Sequence, residues 1–184
     1  MPVNSLDSKD PTTEKQIAAA DVIDFYSELE KRGVVIWIDG GWGVDALLGE
    51  QTRTHGDMDF AIQLKDVHVA VALLVGRGYK NVPRPDTSWW NFVLGDGKGR
   101  EFDFHVIVFD DEGNGVCGPV ENNAIFPAGS LEGTGTIDGH PVRCITPEHM
   151  IQFHTGYELR DVDFHDVGAL CDKFGLKPPE EYRR

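Results

Sequence analysis

The chain has 184 residues and 40% hydrophobic content, enough for one domain or two small ones around an ordinary core, and it carries 31 acidic against 17 basic side chains for a formal charge of −14. Such acidity argues against a nucleic-acid polymer as partner, because phosphate backbones are held by clustered Lys and Arg, and it suits a small cationic ligand better. No apolar run reaches the roughly 20 residues of a membrane span and the first residues lack a signal-peptide profile, so the expectation is a cytoplasmic protein with no membrane partner.

Residues 1–12 read as a disordered leader without a periodic apolar face. From Thr13 a helix is expected, with Ile17, Ala20, Ile23 or Asp24, Phe25 and Leu29 near the 3.6-residue period and Gly33 as its stop. The β-branched run 34–38 predicts a central strand, broken at Asp39-Gly40-Gly41 and followed by a short helix over 42–48 that ends at Gly49. A polar connection carrying Arg53 and His55 leads into a strand over 57–64. There Met58, Phe60, Ile62 and Leu64 alternate with Asp57, Asp59 and Ala61, the pattern of a sheet with one face on a core and one on a site.

A helix over 65–76 should turn Val67, Val71, Leu74 and Val75 inward, and 79–82 should be an edge strand. Residues 90–94 and 100–109 read as a hairpin about a glycine-rich turn. In its second strand Phe102, Phe104, Val106 and Val108 face the core while Glu101, Asp103 and His105 share the other face. Beyond residue 110 come loops and short strands over 134–137 and 142–145. A helix follows with Thr146 as N-cap and Pro147 at its first position, and a last helix carries Phe164, Val167, Leu170, Cys171 and Phe174 up to Gly175.

Two glycines between a strand and a helix let the backbone approach a bulky anion and leave unpaired N–H groups for a phosphate, although a bare Gly-Gly is a weak signal. Asp57 and Asp59 share a strand face, where a hard divalent cation needs them; if the strand of Asp103 pairs beside theirs, three carboxylates converge. Carboxylates so placed repel one another unless a cation sits between them. Phosphate cradle followed by metal clamp is a nucleotide site, and metal ions with a few local cations would offset the acidic background. Cys117, Cys144 and Cys171 form no C-x-x-C pair and read as buried thiols. The histidines show no zinc spacing; His105 alone is held for the site, because it shares the Asp103 face. Trp89 or Trp90, together with Tyr157, could line an apolar wall for an organic substrate.

The string from Trp37 to Gly49, the spaced Thr52-Arg53, His55, Asp57 and Asp59, then Glu101 to His105 and the tail from His154 to Leu159, together resemble the minimal nucleotidyltransferases that inactivate antibiotics, in particular the lincosamide nucleotidyltransferases of the small LinA type and the aminoglycoside 2″-adenylyltransferases. The resemblance covers most of residues 34–175. It implies an α/β fold, a mixed sheet flanked by helices with a helical C-terminal region, and a possible homodimer. On this likeness residues 13–110 form the nucleotidyltransferase core and 111–184 an acceptor-binding region with two helices.

The likeness also implies roles. Asp57 and Asp59 match the magnesium ligands, Asp103 the third carboxylate and base, and Gly40 with Gly41 the triphosphate loop. Broader relatives place a serine where Gly41 stands, so backbone N–H groups or Arg53 must supply that phosphate contact. The implied reaction is Mg2+-dependent transfer of a nucleoside monophosphate, AMP from ATP or from another NTP its equivalent, to a hydroxyl of a small cationic molecule such as a lincosamide or an aminoglycoside. Asp103 takes the hydroxyl proton or shares a second metal; the sequence leaves both open. A protein or RNA acceptor and a catalytically silent nucleotide-binding module are the rival readings.

Overall fold

The computed structural model describes residues 16–119 and 124–183. The expected leader lies outside them. Helix α1 (Ala19–Glu30) starts later than the sequence suggested: the backbone N–H of Ile17 donates to the His55 carbonyl, and Ala18 is extended. Its inward stripe is Val22, Phe25, Tyr26 and Leu29, while Ala20 and Ile23 fall outside the buried set.

Strand β1 (Ile36–Ile38) is fully buried and central, as its β-branched run predicted. It lies antiparallel to β2 (Asp57–Gln63) and parallel to β9 (His140–Cys144). On the other side β2 runs parallel to β5 (Glu101–Phe109), which pairs antiparallel with β4 (Asn91–Gly95), and β3 (Lys80–Val82) forms the edge. Strands β6 (Gly115–Cys117) and β7 (Ile125–Phe126) continue from the far end of β5, and β8 (Gly133–Ile137) closes the opposite edge beside β9. The residues beyond 110 thus add four strands to the same nine-stranded sheet.

The alternation in β2 and β5 divides the molecule. Met58, Phe60, Ile62, Phe102, Phe104 and Val106 are buried on one face. The Phe25 ring of α1 packs there against Phe60 and Phe102 at centroid distances of 5.4 and 4.5 Å. Asp57, Asp59, Asp103 and His105 are left on the other face.

The pattern fails at the strand ends. Leu64 opens a 3-10 turn (Leu64–Asp66) and is 47% exposed, and Val108 is 47% exposed where β5 outruns β2. Ile107 is buried instead, beside Gly115 and Cys117 of β6. Helix α3 (Val67–Gly76) buries Ala70 and Leu74 and leaves the expected Val75 exposed.

The C-terminal helices are α4 (Pro147–Phe153) and α5 (Asp161–Phe174), the latter ended by Gly175 in the left-handed region. Thr146 Oγ1 meets the His149 ring at 2.8 Å instead of capping a backbone N–H. Phe174 is exposed, and the buried stripe of α5 includes two charged residues, Asp163 and Asp166. All three cysteines are buried. No helix among the described residues is long and apolar enough to cross a membrane.

Candidate active site

Helix α2 (Gly40–Leu48) begins two residues earlier than predicted, so the diglycine forms its first turn. Asp39 is the N-cap: its Oδ1 accepts from the Gly40 N–H at 2.8 Å, and its own N–H donates to the Asp59 carbonyl at 2.9 Å. Gly40 has φ +55°, and a Cβ there would stand 2.8 Å from Cγ of Asp59. A Cβ on Gly41 would stand 2.5 Å from Nη2 of Arg53 and 2.6 Å from Cε1 of His55. Both positions are glycine because acidic and basic side chains close over them, and the helix start, with the Gly40 N–H on Asp39, borders the polar cavity.

Asp59 and Asp103 are register partners on parallel β2 and β5. Single ligand atoms of Asp59, Asp103 and His105 lie within 4.8 Å of one another. Asp57, opposite Glu101, stands one side-chain repeat away on the same face and is not in that group, although it lines the same cavity as Asp59. The structure therefore brings Asp59 and Asp103 together, adds His105, and leaves Asp57 as a neighbour.

The electrostatics express the crowding. Burial, reinforced by Asp59 and Glu101, pushes the Asp57 carboxyl up to about 6. Burial also pushes Asp103 up to about 6, with Asp59 and Asp57 adding to the rise against the opposing pull of His105. Burial alone would lower the His105 pKa, but the Asp59 carboxylate at 3.9 Å, an ion-pair distance, together with Asp103 and Asp39, raises it to about 9. Nδ1 of the same ring meets the Asn91 side-chain oxygen at 3.0 Å. Oδ1 of Asp103 is buried and has no hydrogen-bond partner among the described residues. Carboxylates held near 6 and an orphaned carboxylate oxygen fit a divalent cation, which would satisfy the oxygen and relieve the repulsion.

Two cavities meet at this point. One, of about 500 Å3, is polar and is lined by Gly40, Gly41, Arg53, His55, Asp57 and Asp59, and also by Tyr157 and Arg160. The other, of about 570 Å3, is mostly apolar and is lined by Trp90, Cys117, Ile125, Phe126 and Phe153, with Asp86 and Asn91 as polar members. Asp39, His105 and Phe153 border both. The expected pairing of a tryptophan with Tyr157 in one apolar wall is corrected: Trp90 lines the apolar lobe, Tyr157 the polar one, and Trp89 is exposed against Trp90.

Several residues of the polar lobe escaped sequence reasoning. His55 is buried, with Nε2 on Asp45 Oδ2 at 2.5 Å, and Asp45 Oδ1 accepts from the N–H and hydroxyl of Thr52. Arg53, expected at the phosphates, does face the lobe, and its Nε and Nη2 are held by Asp166 of α5 at 3.0 and 2.7 Å. Asp45 and Asp166 lie ten and 113 residues from their partners, a separation no local pattern reveals.

The chain is 30% identical over 162 residues, 86% of its length and 94% of the relative's, to a lincosamide resistance protein of Staphylococcus haemolyticus. To a 2″-aminoglycoside nucleotidyltransferase of Escherichia coli it is 29% identical over 181 residues, 92% of this chain and 89% of the relative. Its fold is similar to that of the lincosamide antibiotic adenylyltransferase LnuA in its lincomycin-bound crystal structure, with TM-score 0.72 and 26% identity over 84% of this chain and 97% of the other. It also shares the fold of ANT(2″)-Ia crystallised with adenylyl-2″-tobramycin, at TM-score 0.67 and 22% identity over 85% and 89%. Residues 21–170 match the family described as aminoglycoside-2″-adenylyltransferase, so this chain belongs to that family and is a nucleotidyltransferase that draws on a nucleoside triphosphate.

Proposed function

We propose that this nucleotidyltransferase moves AMP from ATP to a hydroxyl of a lincosamide-like antibiotic and releases pyrophosphate. The observation that carries the reading is the pair of lobes, one polar and one apolar, meeting at Asp39 and His105. The polar lobe takes the triphosphate on the N–H of Gly41 and on Arg53, with Gly40 leaving the backbone open to its approach. The apolar lobe takes the acceptor. A lincosamide has hydrocarbon surface and one basic amine, which suits Trp90, Phe126 and Phe153 with Asp86 as the nearby carboxylate. An aminoglycoside is the second reading, favoured by the chain's net charge of −14.

Asp59 and Asp103 would hold Mg2+ with Asp57 at the margin; when bound, the ion neutralises phosphate charge and polarises the α-phosphorus. Asp103 accepts the proton of the acceptor hydroxyl as its oxygen attacks the α-phosphorus. The new P–O bond forms in line with the one that breaks to pyrophosphate. His105, between the lobes and fixed by Asn91, offers positive charge beside the reacting phosphate. Residues 13–110 supply the transfer machinery and 111–184 much of the acceptor wall through Cys117, Ile125, Phe126 and Phe153. The enzyme works in the cytoplasm, where ATP and Mg2+ are abundant, and the exposed Leu64, Val108 and Phe109 support a homodimer contact.

The test incubates the protein with ATP and Mg2+ and a panel of lincosamides and aminoglycosides, reading product mass. A gain of one AMP unit on lincosamides alone is expected. Modification of aminoglycosides alone would overturn the acceptor assignment, and no gain on any member would overturn transfer to an antibiotic.

A further inference from the structure

An acidic chain that binds a triphosphate must concentrate positive charge locally, and the polar lobe does so in an ordered way. Among the described residues, the buried aspartates are Asp45, Asp163 and Asp166, at 2%, 1% and 2% exposure. Each stands behind a basic side chain that lines the lobe. Asp166 grips Arg53, Asp45 grips His55, and Asp163 accepts from Nε and Nη2 of Arg160 at 3.2 Å each. Asp163 also accepts from the Arg160 backbone N–H at 2.8 Å and from the Tyr157 hydroxyl at 3.0 Å.

We propose that Arg160 is a second phosphate-binding arginine, reaching in from the α4–α5 connection to the same lobe as Arg53, and that Asp163 and Asp166 are positioning residues that aim the two guanidinium groups into it. The proposal rests on the nucleotide reading above and assigns a role to a wall of the site that the carboxylates and the diglycine do not touch.

Three observations support it. The Arg160 side chain is largely solvent-exposed while its carboxylate partner is buried, so the pair is one-sided and the outer edge of the guanidinium is open to the cavity. An arginine tethered at one edge has lost most of its rotamer freedom and still offers donors at the other, which lowers the ordering cost of gripping a phosphate. Arg53 repeats the design beside it: Asp166 holds its Nε and Nη2 at 3.0 and 2.7 Å, Nη1 meets the Thr54 carbonyl at 3.3 Å, and Nη2 borders Gly41 at the start of α2. Both anchoring aspartates sit on α5 three residues apart, on one face of that helix, so one rigid element sets both arginines.

The position also fits the chemistry. Arg160 precedes the first turn of α5, whose residues Val162 and Asp163 border the lobe, so α2 and α5 both start at this cavity. A triphosphate in it would meet Gly41, Arg53 and Arg160. Tyr157, fixed by the same Asp163, would lie beside the nucleotide.

The experiment measures binding of ATP, and separately of inorganic tripolyphosphate, to the full chain with Mg2+, for the wild type and for Arg160→Ala, Arg160→Lys, Asp163→Asn and Asp166→Asn, with thermal unfolding as the folding control. Arg160→Ala leaves Asp163 its bonds from the backbone N–H of residue 160 and the Tyr157 hydroxyl, so it should fold, with a modest fall in unfolding temperature. It should weaken both ligands about tenfold, as loss of a charge-assisted contact does, and Arg160→Lys should recover part of the loss. Asp166→Asn should raise the nucleotide KM several-fold while kcat at saturation and the acceptor KM stay within about twofold, a split that mere destabilisation would not give. Wild-type affinity for tripolyphosphate in Arg160→Ala would overturn the proposal and leave the nucleotide reading standing. A wild type that binds neither ATP nor tripolyphosphate would overturn both.

Discussion

Gly40 lies directly over Asp59: the glycine sits at φ +55° with no room for a Cβ between its backbone and the carboxylate, whose own main-chain carbonyl takes the Asp39 N–H. This contact locks the helix start to the strand that carries the acid, so the phosphate-facing turn and the metal-facing strand move as one body. Gly40→Ala combines a left-handed main-chain angle with a clash on Asp59. It should cost about 1–3 kcal/mol of stability and lower turnover at least about 100-fold, because displacing the carboxylate by a fraction of an ångström misaligns the reacting groups. Differential scanning calorimetry and a coupled pyrophosphate assay would measure the two effects. Near-normal turnover would show that Asp59 can shift freely.

Much of this arrangement was legible in the sequence, and the reason is periodicity. Alternation in β2 and β5 placed Asp57, Asp59, Asp103 and His105 on one face, and the parallel register then set Asp59 against Asp103. The alternation misled where its physical basis lapsed: Val108 and Leu64 lie where neighbouring strands end and no core covers them. The start of α2 was misplaced because glycine is a poor helix former by propensity, and tertiary contacts from Arg53, His55 and Asp59 override that here. Asp163 and Asp166 were invisible because charged residues on a helix normally read as its solvent face. Only the fold of α5 against α2 turns them inward.

Asp103→Asn keeps the size of the side chain and removes the proton acceptor. The buried Oδ1, without a partner, can become an amide oxygen or nitrogen at little structural cost. Transfer should fall about 10²–10⁴-fold, ATP binding in EDTA should stay close to wild type while binding with Mg2+ weakens for loss of a ligand, and the unfolding temperature should not fall. Turnover within a few-fold of wild type would remove Asp103 from proton transfer.

The apolar lobe makes a separate prediction, through Trp90. A Cβ on Gly118 would stand 2.7 Å from the Trp90 ring, so that glycine seats the tryptophan in the lobe wall. Trp90→Ala and Gly118→Ala should each raise the acceptor KM, the first by about tenfold for loss of an aromatic contact, and leave the nucleotide KM unchanged. If both variants instead raise the nucleotide KM, the two lobes have been assigned the wrong way round.

The pH dependence of stability tests the charge arrangement as a whole. Asp57 and Asp103 titrate at about 6 in the folded chain against 3.8 for a free aspartate, so the folded state holds their protons more tightly. Their stabilisation is complete below 3.8 and is lost as pH rises through about 6. His105 adds a second step of the same sign: its stabilisation is complete below 6.5 and disappears as pH rises through about 9. In EDTA the unfolding temperature should therefore fall in two stages between about pH 4 and 10, and His105→Gln should remove the upper stage. Saturating Mg2+ should reverse the slope at the lower stage, since the ion binds the ionised carboxylates and competes with their protons. Scanning fluorimetry across this range, with and without Mg2+, makes the comparison. A flat profile in EDTA between about pH 7 and 9 would mean that His105 does not gain its charge from Asp59 and Asp103, and that the cluster is more open to water than its burial indicates.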